Sequence, residues 1–372
     1  TTWKLSLRTI NRKRGRFGIT LLGGIFAVGL LVLSLFTNDA VDYMIQKHFF
    51  EEQNYDLLVR FNQPVKEHEL YNISRLEGVV KTEPLFEIPV RIHLNGRSED
   101  ELLLGLSPDT TMKKLVGNDE KPLTLPENGF LISARTAKRL GVKIGDRVEV
   151  ETLLGIGPTR RTSLTVAGVN RQFVGGGSYI SLNLANQVMQ ESGVMSGAML
   201  KVDPGQAGRV EQELSDMTGV SSISSKRKEL DNLKNSMDSM IYSVAMMVVF
   251  AVLLGFAIVY NASVISFAER RRELATLRVA GFTNKEVSSL LFKENLLQSL
   301  LGVALGLPFG RFLTEWFIQG VSTDLYTLPI VIYPQTYLFA ALGGIVFIMA
   351  AHFLAARGIS RLELVEVLKN SD

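Results

Sequence analysis

The chain has 372 residues, 46% of them apolar, a formal net charge of +3 and no cysteine. The near-neutral balance gives nucleic acid no bulk electrostatic hold, and the missing thiols exclude disulfides, thiolate metal sites and cysteine nucleophiles. Average composition is that of a soluble protein, but the apolar residues gather in four long runs and leave residues 38–238 as polar as a soluble domain.

A basic segment, residues 1–16, leads into "FGITLLGGIFAVGLLVLSLF" at Phe17 to Phe36. A bilayer core takes roughly 20 helical residues. The run exceeds a signal peptide's apolar core and lacks a small-residue cleavage site after it, so residues 17–37 read as a retained first transmembrane helix. Next, "DAVDYMIQKHFF" offers Val41, Met44, Ile45, His48 and Phe49 at helical spacings. Two stretches then share one pattern. "YDLLVRFNQPVKEHELYNISRLEGVVKTEPL" and "GAMLKVDPGQAGRVEQELSDMTGVSSISSK" each read as strand, helix, Gly-Val turn and strand. Two such units make a split βαβ, ferredoxin-like module. Between them, Asn95-Gly96 suits a tight hairpin turn. From about Thr110 to Val194, alternating strands around Gly145-Asp146 predict a small β-rich subdomain. Glycine-rich "VGGGSYI" at Val174 to Ile180 lacks the lysine of a phosphate loop and reads as a flexible hairpin.

"ELDNLKNSMDSMIYSV" places Leu230, Leu233, Met237, Met240 and Val244 on one helix face that runs into the second span. Paired with the helix after the first span it would form a stalk; the alternative is two ordinary helix faces packed on the domain. The second span, residues 239–268, holds no charged residue and is followed by "ERRRELATLRVAGFT", Glu269 to Thr283. Arginines after a span anchor topology, but Glu273 and the apolar Leu274, Leu277 and Val279 ask for more. Thr283 and Glu286 have capping-box spacing, which predicts a short helix lying along the membrane surface within a loop at residues 269–289; Gly281 lets the chain turn sharply before it. The third span covers residues 290–316, its charge-free stretch ending at Arg311. A loop at 317–335, a fourth span at 336–356 and a tail at 357–372 complete the chain.

Orientation follows from the short flanks. Six basic residues and no acid precede the first span, six more lie between Arg270 and Lys293, and one lies between Arg311 and Gln335. Both termini and the 269–289 segment are therefore expected in the cytoplasm, and residues 38–238 outside it. No G-x-x-x-x-G-K-[ST] loop is present, so ATP is not gripped in that manner, and the four histidines show no zinc-site spacing. No acidic residue lies near mid-membrane to couple ions; Glu294, beside Lys293, reads as one half of a local pair.

"ERRRELATLRVAGFTNKEVSSLLFKENLLQSLLGVALGLPFG", Glu269 to Gly310, resembles the FtsX-like permease family, which includes the MacB and LolC/LolE type subunits of ABC transporters. "RGISRLELVEVLK", Arg357 to Lys369, is similar to that family's ending, and "NGFLISARTAKRLGVKIGDRVEV" to part of its outer domain. The fold class implied is a membrane protein, an α-helical bundle of four transmembrane helices with a large α+β extracytoplasmic domain (ferredoxin-like βαβ parts plus a small β-rich subdomain) inserted between the first two. The resemblance further implies a permease subunit without cofactors or enzymatic activity of its own, in the inner membrane. A separate cytoplasmic ABC ATPase dimer would bind ATP and Mg and push on the loop after the second span. Its expected contacts are Arg272, Glu273, Leu277, Arg278, Gly281, Phe282, Thr283 and Glu286, with residues 362–368 assisting. The start of the chain resembles the second half of tandem permeases. The other permease unit would then be an upstream first half or, otherwise, a second chain in a homodimer or heterodimer. A periplasmic adaptor and membrane lipids are further expected partners. The cargo would be an amphipathic peptide, antibiotic, lipoprotein or lipid. The alternative is a membrane-anchored sensor, or a regulator of cell-wall hydrolases, that transports nothing.

Overall fold

The computed structural model describes residues 14–153, 159–171, 175, 177–279, 283–321 and 329–360. Two compact units divide the chain, one holding residues 1–41, 238–321 and 330–372, the other residues 42–237 and 322–329.

Four long helices supply the first unit: α1 (Arg14–Ile45), α6 (Lys226–Val279), α7 (Asn284–Val321) and α8 (Pro334–Ser360). Each contains a stretch long and apolar enough to cross a bilayer. Apolar residues recur along α1 at helical spacing, so Ala27, Val28, Leu31 and Val32 form one buried stripe, which meets Val259 of α6, Val303 of α7, and Ala340, Phe347, Ile348 and Ala351 of α8. In lipid, apolar surface alone does not drive helices together, so close backbone approach over small residues does that work. The α7 glycines 302, 306 and 310 follow one another at every fourth position, on one face, and ride against Gly24, Val28 and Val32 of α1, which share that spacing. A β-carbon on Gly306 would lie 2.7 Å from Val28 Cβ and one on Gly310 would lie 2.6 Å from Val32 Cβ. Gly344 of α8 meets the other side of Val28, and Gly255 of α6 meets Ala27.

Several polar groups inside these helices hydrogen-bond within their own helix or to a neighbour. Ser34, Ser299 and Thr314 donate to carbonyls four residues back. Ser263 donates to Val259 O at 2.6 Å and lies 2.7 Å from His352 Nδ1 on α8; with its one proton committed to the carbonyl, it accepts from an imidazole protonated at Nδ1. The buried Asp39 carboxylate accepts from Tyr333 N at 2.8 Å and Thr336 Oγ1 at 2.9 Å, capping the start of α8 from the end of α1.

The second unit, lying between the first and second apolar helices, is α+β as expected. Its first part is ferredoxin-like: β1 (Leu57–Lys66), α2 (Leu70–Ser74), β2 (Val79–Leu94), then β10 (Val194–Val202), α5 (Ala207–Ser215) and β11 (Val220–Ser225). The antiparallel order is β11-β1-β10-β2. Val210 and Leu214, one turn apart on α5, close its core with Ile73, Leu57, Val59 and Leu200.

Two short strands, β4 (Leu115–Val116) and β5 (Pro122–Leu123), pair only with each other, and the remaining strands form a closed barrel. β3 (Arg97–Leu106), β6 (Phe130–Ser133), β7 (Arg147–Thr152), β8 (Arg161–Asn170) and β9 (Ser178–Ser181) join the far half of β2 in the order β2-β3-β9-β6-β8-β7, and pairing of β7 with β2 completes the ring. Two equivalent units interleave to make it. Hairpin β2-β3 is followed later in the chain by β6 and α3 (Ala134–Leu140); hairpin β7-β8 is followed by β9 and α4 (Leu182–Val188). Each hairpin pairs in parallel with the other unit's lone strand, β3 with β9 and β8 with β6. Both lone strands end in a serine that caps the next helix, Ser133 accepting from Thr136 N at 3.2 Å and Ser181 from Leu184 N at 3.3 Å. The β-rich part thus reaches back before Thr110, its expected start, because the 16-residue β2 leaves β10 near Leu85 and pairs with β7 from Val90 on. Asn95 and Gly96, with φ of 50° and 79°, form the β2-β3 turn. Gly145-Asp146 instead leads from α3 into β7. The glycine-rich stretch before β9 lies largely outside the described residues.

Two buried carboxylates on these strands titrate in opposite senses. Burial alone would raise the pKa of Glu83, but Lys81 Nζ at 2.8 Å, Thr110 Oγ1 at 2.5 Å and the N–H and hydroxyl of Thr111 at 3.1 and 3.0 Å outweigh it and hold the carboxyl below its usual range. Burial dominates at Glu101, whose pKa is raised although Ser178 Oγ donates at 2.7 Å. Stability from Glu83 is therefore present above the unfolded carboxylate pKa of about 4.3 and is lost as pH falls through the lower folded value; the contribution of Glu101 is full below about 4.3 and is lost as pH rises through the raised value. At pH 7, Glu83→Gln should destabilise the chain by about 1–2 kcal/mol, allowing for solvent screening at half-exposed Lys81. Glu101→Gln should instead raise the melting temperature at pH 7 and leave it unchanged at low pH. Thermal melts of both variants across pH 4–8 check the two signs.

Candidate coupling site

The segment between the second and third apolar helices differs from the loop expected at residues 269–289. Helix α6 continues unbroken to Val279, so Arg272, Glu273, Leu277 and Arg278 lie on helix; their side chains, and Gly281 and Phe282 altogether, lie outside the described residues. Residues 362–368 also lie outside them, as does the side chain of Glu294.

Thr283 and Glu286 form a reciprocal capping box. Thr283 N donates to Glu286 Oε2 at 2.8 Å and Thr283 Oγ1 donates to the same oxygen at 2.9 Å, while Glu286 N approaches Thr283 Oγ1 at 3.4 Å. The backbone hydrogen bond from Thr283, then its hydroxyl, hold the Glu286 carboxyl below its usual range. This box starts α7, which runs on for 38 residues with no separate surface helix. The physical reason is continuity of helix formers: "VSSLLFKENLLQSLL" contains neither glycine nor proline, so nothing after the cap breaks the backbone ladder.

A second constellation, in the inserted unit, was signalled by hydrophobic spacing only at His48 and Phe49. After α1 the chain forms a π-helix, Gln46–Glu52, with His48, Phe49 and Glu52 buried. His48 Nε2 lies 3.0 Å from Gln53 Nε2 and His48 Nδ1 3.7 Å from Glu52. Lys226, the first residue of α6, donates from Nζ to Gln53 O at 2.7 Å and from its backbone N to Asp56 O at 2.9 Å. Lys113 pairs in register with Gln53; burial lowers its pKa against the attraction of Glu52 and Glu229. The start of α6 is thus pinned to the end of the π-helix. Of the stalk residues, Leu230 and Leu233 are half-buried, and the side chains of Met237 and Met240 lie outside the described residues. A further signal was the pair of charged residues Glu52 and Lys226 closing the two helical segments.

No group of three or more metal-ligating side chains occurs among the described residues. What the chain presents is a set of membrane-crossing helices, a capped helix start after a basic segment, and an α+β domain inserted between the first two spans: the plan of a permease-type membrane protein.

The comparisons with known proteins agree. Residues 17–217 match the MacB-like periplasmic core domain and residues 245–364 the FtsX-like permease C-terminal. The chain belongs to this FtsX/MacB permease family. It is 27% identical over 213 residues to an "uncharacterized ABC transporter permease protein", Rv0987, of Mycobacterium tuberculosis, a match covering 55% of this chain and 24% of that one. The chain therefore spans about a quarter of the length of that relative. Among solved structures, it is similar to the extracellular domain of the noncanonic ABC-type transporter YknZ from Gram-positive bacteria (15% identity, TM-score 0.34, 46% of this chain and 99% of that). It is also similar to the periplasmic region of MacB from Actinobacillus actinomycetemcomitans (11% identity, TM-score 0.35, 52% and 97%).

Proposed function

We propose that this chain is the membrane-spanning subunit of an ATP-driven transporter in the inner membrane, with both termini in the cytoplasm. ATP and Mg would be bound by a separate cytoplasmic ATPase dimer matched by two permease units. Closure of the ATPase pushes on the end of α6 and the capped start of α7, and α6 carries the movement toward the inserted domain, which acts on an amphipathic peptide, antibiotic, lipoprotein or lipid. The observation that carries this reading is α6 itself. One helix of 54 residues starts at β11, where Lys226 is held by Gln53 O, and carries the arginine-rich segment in its last turns. That is more than twice the roughly 20 residues a bilayer core takes, and an unbroken helix moves as a rigid body.

The test is charge reversal at the coupling segment. Glu273→Arg and Arg278→Glu together should lower stimulation of a co-reconstituted ATPase by about tenfold, the loss of one or two charge-assisted contacts, while the variant still folds and inserts. Undiminished co-purification and ATPase stimulation would sink the contact.

A further inference from the structure

The outer face of the barrel carries a ladder of charges that is paired almost throughout. Register places Asp100, Arg91, Glu151 and Arg161 in one row across β3, β2, β7 and β8. Arg91 Nε donates to Asp100 at 2.6 Å, Arg161 lies 3.3 Å from Glu151, and His93 Nε2 lies 2.8 Å from the same carboxylate. Beyond the next row the ladder ends in an open cleft of about 500 Å³ between the β2-β3 turn and the start of β7, lined by His93, Asn95, Gly96, Arg97, Arg147 and Glu149 among others. Here the pairing stops. Neither Arg97 nor Arg147 makes an ion pair or hydrogen bond through its guanidinium to a described residue. The acid on the same wall, Glu149, has its nearest cation, Arg161, 3.8 Å away.

We propose that this cleft binds a phosphate ester that also carries an amino group, of the ethanolamine phosphate kind. Two unpaired guanidiniums match the oxygens of a phosphate, which they can hold with paired, charge-assisted hydrogen bonds. Glu149, which lines the same cleft, would repel a bare anion and instead receives an ammonium. The volume is that of a small-molecule site, about 300–1,000 Å³, and so exceeds what an inorganic ion fills. The cleft belongs wholly to the inserted unit, and binding there needs no ATPase, so its test stands apart from that of the coupling contact. The same chemistry is offered by a lipid headgroup and by a free metabolite.

Calorimetric titration of O-phosphoethanolamine into the full chain, held in phosphatidylcholine nanodiscs, should show saturable binding with a Kd of about 1 mM or tighter. R97A/R147A should weaken it at least about tenfold, since two charge-assisted contacts are lost, whereas R209A on the remote helix α5 should not. E149Q should weaken ethanolamine phosphate yet tighten inorganic phosphate, a reversal that general loss of folding would not produce. In phosphatidylethanolamine nanodiscs, a weaker apparent affinity assigns the cleft to the lipid headgroup, and an unchanged one assigns it to the free ester. Absence of saturable binding, or equal binding by the native, R97A/R147A and E149Q chains, overturns the proposal.

Discussion

Gly306→Leu is expected to unseat α7 from α1 and to cost about 1–3 kcal/mol or more, the range for inserting bulk into a packed interface. The position leaves no route for relief. A β-carbon there would stand 2.7 Å from Val28 Cβ and 3.2 Å from the Ile25 carbonyl oxygen, and a rotamer change of Val28, which moves its γ-carbons but not Cβ, clears neither obstacle. Val28 is wholly buried and is held on its other side by Gly344 of α8. The strain therefore passes to a third helix. Gly306→Ala should show a smaller loss of the same sign. The neighbouring pair on α8 provides the control: Gly344 faces Val28, whereas Gly343 has nothing within 4 Å. Gly344→Leu should lower the melting temperature of the detergent-solubilised chain and Gly343→Leu should leave it close to native. Equal melting of the two variants would refute close glycine packing as the source of the assembly.

These glycines also mark how far the sequence could be read. Four apolar runs were enough to signal four long apolar helices, because length and hydropathy are one-dimensional properties of the chain. That glycines 302, 306 and 310 meet Gly24, Val28 and Val32 was not legible, since spacing names a face of a helix but not the helix opposite. The ferredoxin-like half was legible because its two strand-helix-strand stretches repeat within short segments. The barrel was not. Its closure depends on β2 changing partner along its length, and its two halves, though consecutive in the chain, interleave in space, so each hairpin pairs with a strand from the other half. Between α6 and α7 the Thr283–Glu286 spacing correctly signalled a helix start, but a cap fixes only where a helix begins. The length that followed was decided by residues 287–301, which contain no breaker.

The shared strand also sets the response to a core mutation. Phe130→Ala should destabilise the inserted domain by about 3–5 kcal/mol, the usual cost of emptying an aromatic site from a packed core. Phe130 is fully buried at the start of β6, in register with Val166 on one side and Ile180 on the other, so its removal opens a cavity lined by three barrel strands. Little collapse is available, because a closed ring cannot bring two strands together without parting two others. The loss should not stay in the barrel. β2 gives Ile88, Val90 and Ile92 to the barrel core, while its first residues pair with β10 from Val79 to Leu85. One strand cannot melt at one end and remain registered at the other without fraying the pairs between. Hydrogen exchange on the variant should therefore show β1, β10 and β11 losing protection together with β6, β8 and β9. Exchange confined to the barrel strands would mean that β2 bends freely at its change of partner, and that a ligand held on the barrel's outer face could not act on the sheet from which α6 departs.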